Sequence, residues 1–307
     1  MVREAHRDRA GLLLAWYERH GRAHLPWRTT RDPYRILVSE FMLQQTQVDR
    51  VLPKYEAFVD RFPDFASLAS ASTADVLRLW QGLGYNSRAV RLKQIAQAVV
   101  ERYGGAMPSD EQTLRSLPGI GPYTVAAVRA FAFDLDDAAL DTNVRRVTHR
   151  VLHGLEHPPK IPVRALDADA RALVPAGRGH DWNSAMMDLG ATICTARAPK
   201  CLICPLQPAC AAAPIDGALL EHARTAHARR RSPQEAIPFE RTTRYARGRI
   251  IDRLRELPPG RRISLLDLHA DVTHRLGRTA EDLANLLEAL SRDGLVRVHE
   301  QQVSLQD

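Results

Sequence analysis

Apolar residues recur at three- and four-residue steps through residues 33–60, and Ile36, Leu37, Glu40, Leu43 and Gln44 share one side of the helix this predicts. Glu40 therefore sits on a mostly apolar stripe. The same period predicts helices over residues 74–80 and 87–103, and no alternating strand pattern interrupts them, so the region reads as all-α. In "PSDEQTLRSLPGIGPYTVAAVRAFAF", Ser109 followed by Gln112 predicts a capping box, with the helix stopping near Leu117. "PGIG" then predicts a tight turn, and Pro122 opens a second helix at its favoured first position. Such a turn presents free backbone N–H groups and a positive dipole end to an anion, DNA phosphate among them. A Pro-Gly loop joining two helices for purely structural reasons has the same appearance.

Further along, "EHARTAHARRRSPQEAIPFERTTRYARGR" is polar, arginine-rich and weakly periodic, as an exposed linker would be. Three helical segments follow, "RIIDRLREL", "SLLDLHADV" and "TAEDLANLLEALSRDG", and then two short strand-like runs in "LVRVHEQQVSLQ". This order resembles a winged helix, a module that binds DNA or proteins.

Length and composition narrow the classes. The 307 residues suffice for two or three domains, and 45% of them are hydrophobic. There is no apolar run of about 18 residues, and "MVREAHRDRAGLLLAWYERHG" reads as an amphipathic helix rather than an export signal, so a cytoplasmic protein is expected. The formal charge of +7 favours a polyanionic partner, with a solvated charged surface as the plain alternative. Of the 43 basic residues only Lys54, Lys93, Lys160 and Lys200 are lysines, so the positive charge is carried by planar guanidinium groups suited to phosphate. Few amines remain for Schiff-base chemistry.

All four cysteines lie in "CTARAPKCLICPLQPAC", at Cys194, Cys201, Cys204 and Cys210. Their compactness suits one ion or cluster. Disulfides fit poorly with the absence of an export signal, but a four-cysteine zinc site and a [4Fe-4S] cluster satisfy the spacing equally.

Two carboxylates stand in unexpected places. Glu40 is one, and its burial would favour the neutral acid, although a glutamate beside a core stripe is also common on helix surfaces. Asp141 is the other, between apolar "AAL" and the helical "TNVRRVTHRV", where an N-cap is the simplest reading. A cap would keep it ionised through the helix dipole. An acid and a base so divided are what cleavage of a glycosidic bond requires.

The hairpin "LPGIGPYTVAAV", the aspartate of "LDTNVRRV" and the four-cysteine loop, in this order, resemble the helix-hairpin-helix DNA glycosylases over residues 25–210. Within that superfamily, "HLPWR", "SEFMLQQTQV", "WQGLGY" and "NSAMMDLGATIC" resemble the MutY-type adenine DNA glycosylases, which remove adenine mispaired with 8-oxoguanine. The resemblance implies a mostly α, two-lobed fold with a [4Fe-4S] cluster on the four cysteines, plus the small winged-helix-like module. It divides the chain into a cluster lobe (1–26 and 134–215), a six-helix lobe with the hairpin (27–133), a basic linker (216–240) and the terminal module (241–307).

The resemblance also implies roles. Glu40 matches the acid that protonates adenine at N7, and Asp141 the group that stabilises the sugar cation, with Tyr123 and Asn143 hydrogen-bonding around it. Arg28, Leu43 and Asp188 match the adenine pocket, while Gln44 and Tyr85 match residues that wedge into the duplex when adenine flips out. Leu43 and Tyr85 read equally as core residues, and Asp188 as a surface charge. The hairpin residues Gly119, Ile120 and Gly121, and Arg197 and Lys200 in the cysteine loop, match DNA-phosphate contacts. Tyr123 stands where endonuclease III-type relatives place an attacking lysine, so a monofunctional hydrolase is implied. The expected partner is double-stranded DNA carrying a mispair or oxidised guanine, met by a monomer at the nucleoid without a membrane.

Three features depart from the family pattern. "DTN" stands for the usual "DGN", Asn86 follows Tyr85 where a second tyrosine is common, and the residues after Pro238 are too few and too helical for the Nudix-like domain that reads 8-oxoguanine in relatives. A mismatch thymine glycosylase of the same fold and a non-catalytic damage-binding protein are the competing readings.

Overall fold

The computed structural model describes residues 2–156, 160–229 and 238–307, and its described part is dominated by helices. In chain order these are α1 (Val2–His20), α2 (Pro33–Leu43), α3 (Val48–Arg61), α4 (Phe65–Ser70), α5 (Thr73–Leu79), α6 (Ser87–Tyr103), α7 (Glu111–Ser116), α8 (Pro122–Phe133), α9 (Thr142–His153), α10 (Val163–Ala172), α11 (Gly179–Thr192) and α12 (Gly217–Arg229). There follow α13 (Thr243–Arg255), β1 (Ile263–Ser264), α14 (Leu265–Leu268), α15 (Ala280–Arg292), β2 (Val296–His299) and β3 (Gln302–Leu305). No described helix is long and apolar enough to cross a membrane.

The chain divides into two compact units. The first comprises Met1–Ile36, Ser109–Ser116 and Ile120–Gln234, and the second Leu37–Pro108, Leu117–Gly119 and Glu235–Asp307. In the first, Leu13, Val144, Val147, Trp182, Met186, Leu189 and Leu206 form the main core, and Ile36, Ala127, Phe131 and Ala139 a smaller one. Helices α9 and α11 approach so closely that a Cβ on Gly190 would stand 2.7 Å from that of Asn143, so only glycine fits there. In the second unit, Phe58 meets Phe62 and Trp80 edge-on at 5.2 and 5.9 Å.

Also in the second unit, α13, α15 and a three-stranded antiparallel sheet of order β1-β3-β2 share an apolar interior of Ile250, Leu254, Leu286, Leu290, Val296 and Val303. The β2–β3 hairpin pairs Val296 with Leu305 and His299 with Gln302. This module is tied to the helices before it by Arg255, whose Nε donates to the Leu77 carbonyl at 2.9 Å and Nη2 to Asn86 Oδ1 at 2.7 Å.

Some local expectations give way. The single helix expected over residues 33–60 is two, α2 and α3, separated at Gln45 with its left-handed φ of 57°. The cap of α7 is Asp110, which accepts from the Thr113 N–H at 2.8 Å, rather than Ser109. Residues 217–229, expected as irregular linker, form α12, a run of good helix formers anchored by the buried Leu220, while residues 230–237 lie outside the described residues. The short β1 was not legible.

Candidate active site

Asp141 caps α9. Its Oδ1 accepts the Val144 N–H at 2.7 Å and its Oδ2 the Asn143 amide at 3.0 Å, so two donors fix the carboxylate at the helix start while it stays half-exposed. The N-cap reading is thus correct, and Asn143 does hydrogen-bond the aspartate. Upstream, the buried Asn183 fixes the approach. Its Oδ1 accepts the Ala139 N–H at 2.7 Å, and its amide donates to the carbonyls of Asp137 and Gly179 at 2.8 and 2.7 Å. Downstream, Asn143 Oδ1 accepts from Arg146 Nη2 at 2.9 Å, and Arg146 Nε donates to the Cys194 carbonyl at 2.9 Å. Tyr123, in the first turn of α8, packs on the small core beside Ala139, two residues before the aspartate.

Asp188 is no surface charge. Only 1% exposed, it accepts from Arg22 Nη2 at 2.7 Å and from the Arg22 backbone N–H at 2.8 Å, with Arg28 3.7 Å away. Arg28 also donates to the Ser184 hydroxyl and lies 5.2 Å from the Phe131 ring, and its buried Nε has no hydrogen-bond partner among the described residues. Arg28 and Asp188 are therefore brought together within the first unit, as a buried polar cluster.

Glu40, Leu43, Gln44 and Tyr85 belong to the second unit. Helix α2 is buried from Ile36 to Met42, and Glu40 is 6% exposed among Leu37, Phe41 and Met42. Leu43 and Gln44 are half-buried at its end, and so is Tyr85, whose left-handed φ of 46° is costly for an aromatic residue. Neither Leu43 nor Tyr85 is a core residue.

One side chain binds these two loops. The buried Arg88 donates to the carbonyls of Phe41, Met42 and Gln44 at the end of α2, to those of Leu83 and Gly84, and to the Thr46 hydroxyl. The last carbonyls of a helix lack partners within it, and a guanidinium fork satisfies several at once. Burial pulls its pKa down to about 10, which leaves it charged at neutral pH.

In the hairpin, Gly119 takes a φ of 76°, which glycine alone adopts freely, and Gly121 caps α8 without a side-chain acceptor. The N–H groups of that first turn carry no side-chain cap and so suit an anion.

All four cysteines are free thiols lining one cavity of about 20 Å³. Among the described residues no group of three or more His, Cys, Asp or Glu side chains is arranged to hold a single metal ion. Burial raises the thiol pKa values of Cys194 and Cys210 and pushes that of Cys204 up to about 11. Arg150, with its side chain fully buried, donates to Cys194 Sγ at 3.5 Å and to the Thr195 carbonyl at 2.8 Å, and pairs with Glu156 at 2.6 Å. Arg197 and Lys200 are exposed between the first two cysteines.

Sequence reasoning missed Arg22, Arg88, Arg146, Arg150 and Asn183. A signal existed for Arg88, which shares the stripe of Leu92, Ile95 and Val99 on α6 as Glu40 shares that of α2.

A model of the HhH-GPD superfamily of base excision DNA repair proteins matches residues 38–166. The adenine DNA glycosylase of Mycobacterium tuberculosis is 40% identical over 293 residues, covering 92% of this chain and 88% of that one. That of Mycolicibacterium smegmatis is 47% identical over 195 residues, covering 63% of this chain and 66% of that one. A thermostable thymine-DNA glycosylase of known structure superposes with a TM-score of 0.63 at 33% identity, over 68% of this chain and 97% of that one. With such identity over nearly its whole length and the hairpin match beneath it, the chain belongs to the adenine DNA glycosylases of the HhH-GPD base excision repair superfamily.

Proposed function

We propose that the chain hydrolyses the N-glycosidic bond of adenine mispaired with 8-oxoguanine or guanine in duplex DNA and leaves an abasic site. The observation that carries this reading is Asp141, its carboxylate held at the start of α9 by the Val144 N–H and the Asn143 amide yet half-exposed. In this reading Glu40, buried at 6% exposure, gives its proton to adenine N7. The C1′–N9 bond then breaks with its electron pair going to the base, and the Asp141 carboxylate stabilises the cationic sugar until water adds at C1′ and loses a proton. Asn143 and Tyr123 orient the aspartate.

Arg28, Leu43 and Asp188 shape the adenine pocket in this reading, which the buried, partnerless Nε of Arg28 supports. Gln44 and Tyr85 wedge into the duplex, a role consistent with loops held rigidly by Arg88. The N–H groups around Gly119, Ile120 and Gly121, together with the exposed Arg197 and Lys200, take phosphates. Cys194, Cys201, Cys204 and Cys210 would hold a [4Fe-4S] cluster: four free thiols on one cavity, with the Arg150 N–H to offset thiolate charge, fit that donor set. Bound there, the cluster would hold the loop of Arg197 and Lys200 rigid rather than supply a reaction step.

The wider assignments belong to the same proposal: a cluster lobe (1–26 and 134–215), a hairpin lobe (27–133), a linker (216–240) and a winged-helix-like module (241–307), in a monomer that acts at the nucleoid. With tyrosine at position 123, no amine attacks the sugar, and strand cleavage does not follow excision.

Likeness to a thymine-DNA glycosylase favours a second reading, excision of thymine opposite guanine. Duplexes carrying A opposite 8-oxoguanine, A opposite G and T opposite G separate the two. The proposal expects adenine release from the first two and strands that stay intact without heat or alkali, and release of thymine from the third would replace it.

A further inference from the structure

Helix α13 of the C-terminal module touches the loop of Tyr85 and Asn86 at two points, both within the second unit. Arg255, near its end, is buried, pairs with Asp252 at 2.9 Å and grips Asn86 and the Leu77 carbonyl, which is enough to dock the module. Arg244, in its first turn, differs. It is exposed and makes no ion pair among the described residues, and its guanidinium carbon lies 3.6 Å from the Tyr85 ring centroid. Arg88 stands over the same ring at 5.5 Å.

Two guanidinium groups converge on one half-exposed phenol. The Tyr85 ring draws each of them through its quadrupole, and neither pairs with a carboxylate among the described residues. The exposed Arg244 therefore offers its charge to a polyanion laid on this face. Tyr85 also pays for a left-handed backbone, a strain expected where side-chain aim matters more than local comfort. Asn86, a residue that departs from the family pattern, is the one Arg255 holds.

We propose that Arg244 is a positioning residue for duplex recognition: stacked on Tyr85, it sets the ring for insertion beside the mispair, so the C-terminal module helps distinguish mispaired from paired DNA. This rests on the wedge reading of Tyr85.

The test uses the full chain and two probes, a duplex carrying 2′-fluoro-2′-deoxyadenosine opposite guanine, whose glycosidic bond resists cleavage, and the same duplex fully paired. Kd is measured for both, and the ratio is the readout. Arg244→Ala should lower the preference for the mispair about fivefold. Arg244→Lys should restore the salt dependence of binding but not the preference, because an ammonium does not stack as a flat guanidinium does. Tyr85→Leu should lower the preference alike, with no further loss in the double variant. Should Arg244→Ala destabilise the fold, Arg244→Gln takes its place. Equal weakening of both probes, no change in either, full rescue by lysine or additive losses would each overturn the proposal. A normal ratio in Tyr85→Leu would sink the wedge reading itself, whereas a lowered ratio there with a normal one in Arg244→Ala would sink only the role of Arg244.

Discussion

Two buried arginines, one in each unit, hold two loops by different physics. Arg150 anchors the cysteine loop through a counter-ion, the Glu156 carboxylate at 2.6 Å, with further bonds to Cys194 Sγ and the Thr195 carbonyl. Arg88 anchors the recognition loops through neutral oxygens, five carbonyls and one hydroxyl. A paired arginine depends on the balance of charge. One that gathers carbonyls depends on the shape of its fork, since each N–H must meet an oxygen fixed by the backbone. The cysteine loop should thus be sensitive to loss of a partner, and the loops of Leu43, Gln44 and Tyr85 to any change in geometry.

Arg150→Met should have the largest effect. It removes the guanidinium that stands 2.6 Å from the Glu156 carboxylate, 13% exposed, and should cost about 3–5 kcal/mol in denaturant unfolding. Adding Glu156→Gln should return more than half of that loss, and no recovery would break the ionic side of the comparison.

Arg88→Lys comes next. Charge is kept, but a single ammonium cannot reach six oxygens spread over two loops, so a loss of about 2–3 kcal/mol is expected from the carbonyls left unsatisfied. Wild-type stability in this variant would show that charge alone holds the recognition loops.

The smallest effect separates the units by pH. Burial lowers the pKa of His180 in the first unit below its ordinary 6.5, against the opposing pull of Asp181 3.1 Å away; burial wins because the ring is 3% exposed. The unfolded state then binds more protons than the folded one, so stability falls as pH drops below about 6.5, by up to about 1.4 kcal/mol per pH unit. Arg88 stays charged throughout that range. Hydrogen exchange between pH 7 and 5 should therefore show α11 losing protection in wild type but not in His180→Gln. Equal loss in both would remove the histidine from the account.

Much of the site was legible because its chemistry is local in sequence. Asp141 announces itself as a cap by standing between an apolar run and a helical one, and the cysteines and the "PGIG" turn announce themselves by spacing. What escaped is tertiary. Arg22 reaches Asp188 across 166 residues and Arg88 reaches Phe41 across 47, and no window of sequence contains both ends of such a bond. The break at Gln45 escaped for the same reason, because the carbonyls that end α2 are satisfied by an arginine from α6. Helix α12 escaped because arginine-rich polar sequence fits a linker and a solvated helix equally well.

The central claim, that Glu40 as proton donor and the Asp141 carboxylate divide the work of breaking one glycosidic bond, is most directly tested by single-turnover excision of adenine opposite 8-oxoguanine by Glu40→Gln and Asp141→Asn, with duplex affinity measured in parallel. The account predicts that each variant loses at least about 10²-fold in rate and keeps its affinity within a few fold. Wild-type excision by either variant would contradict it.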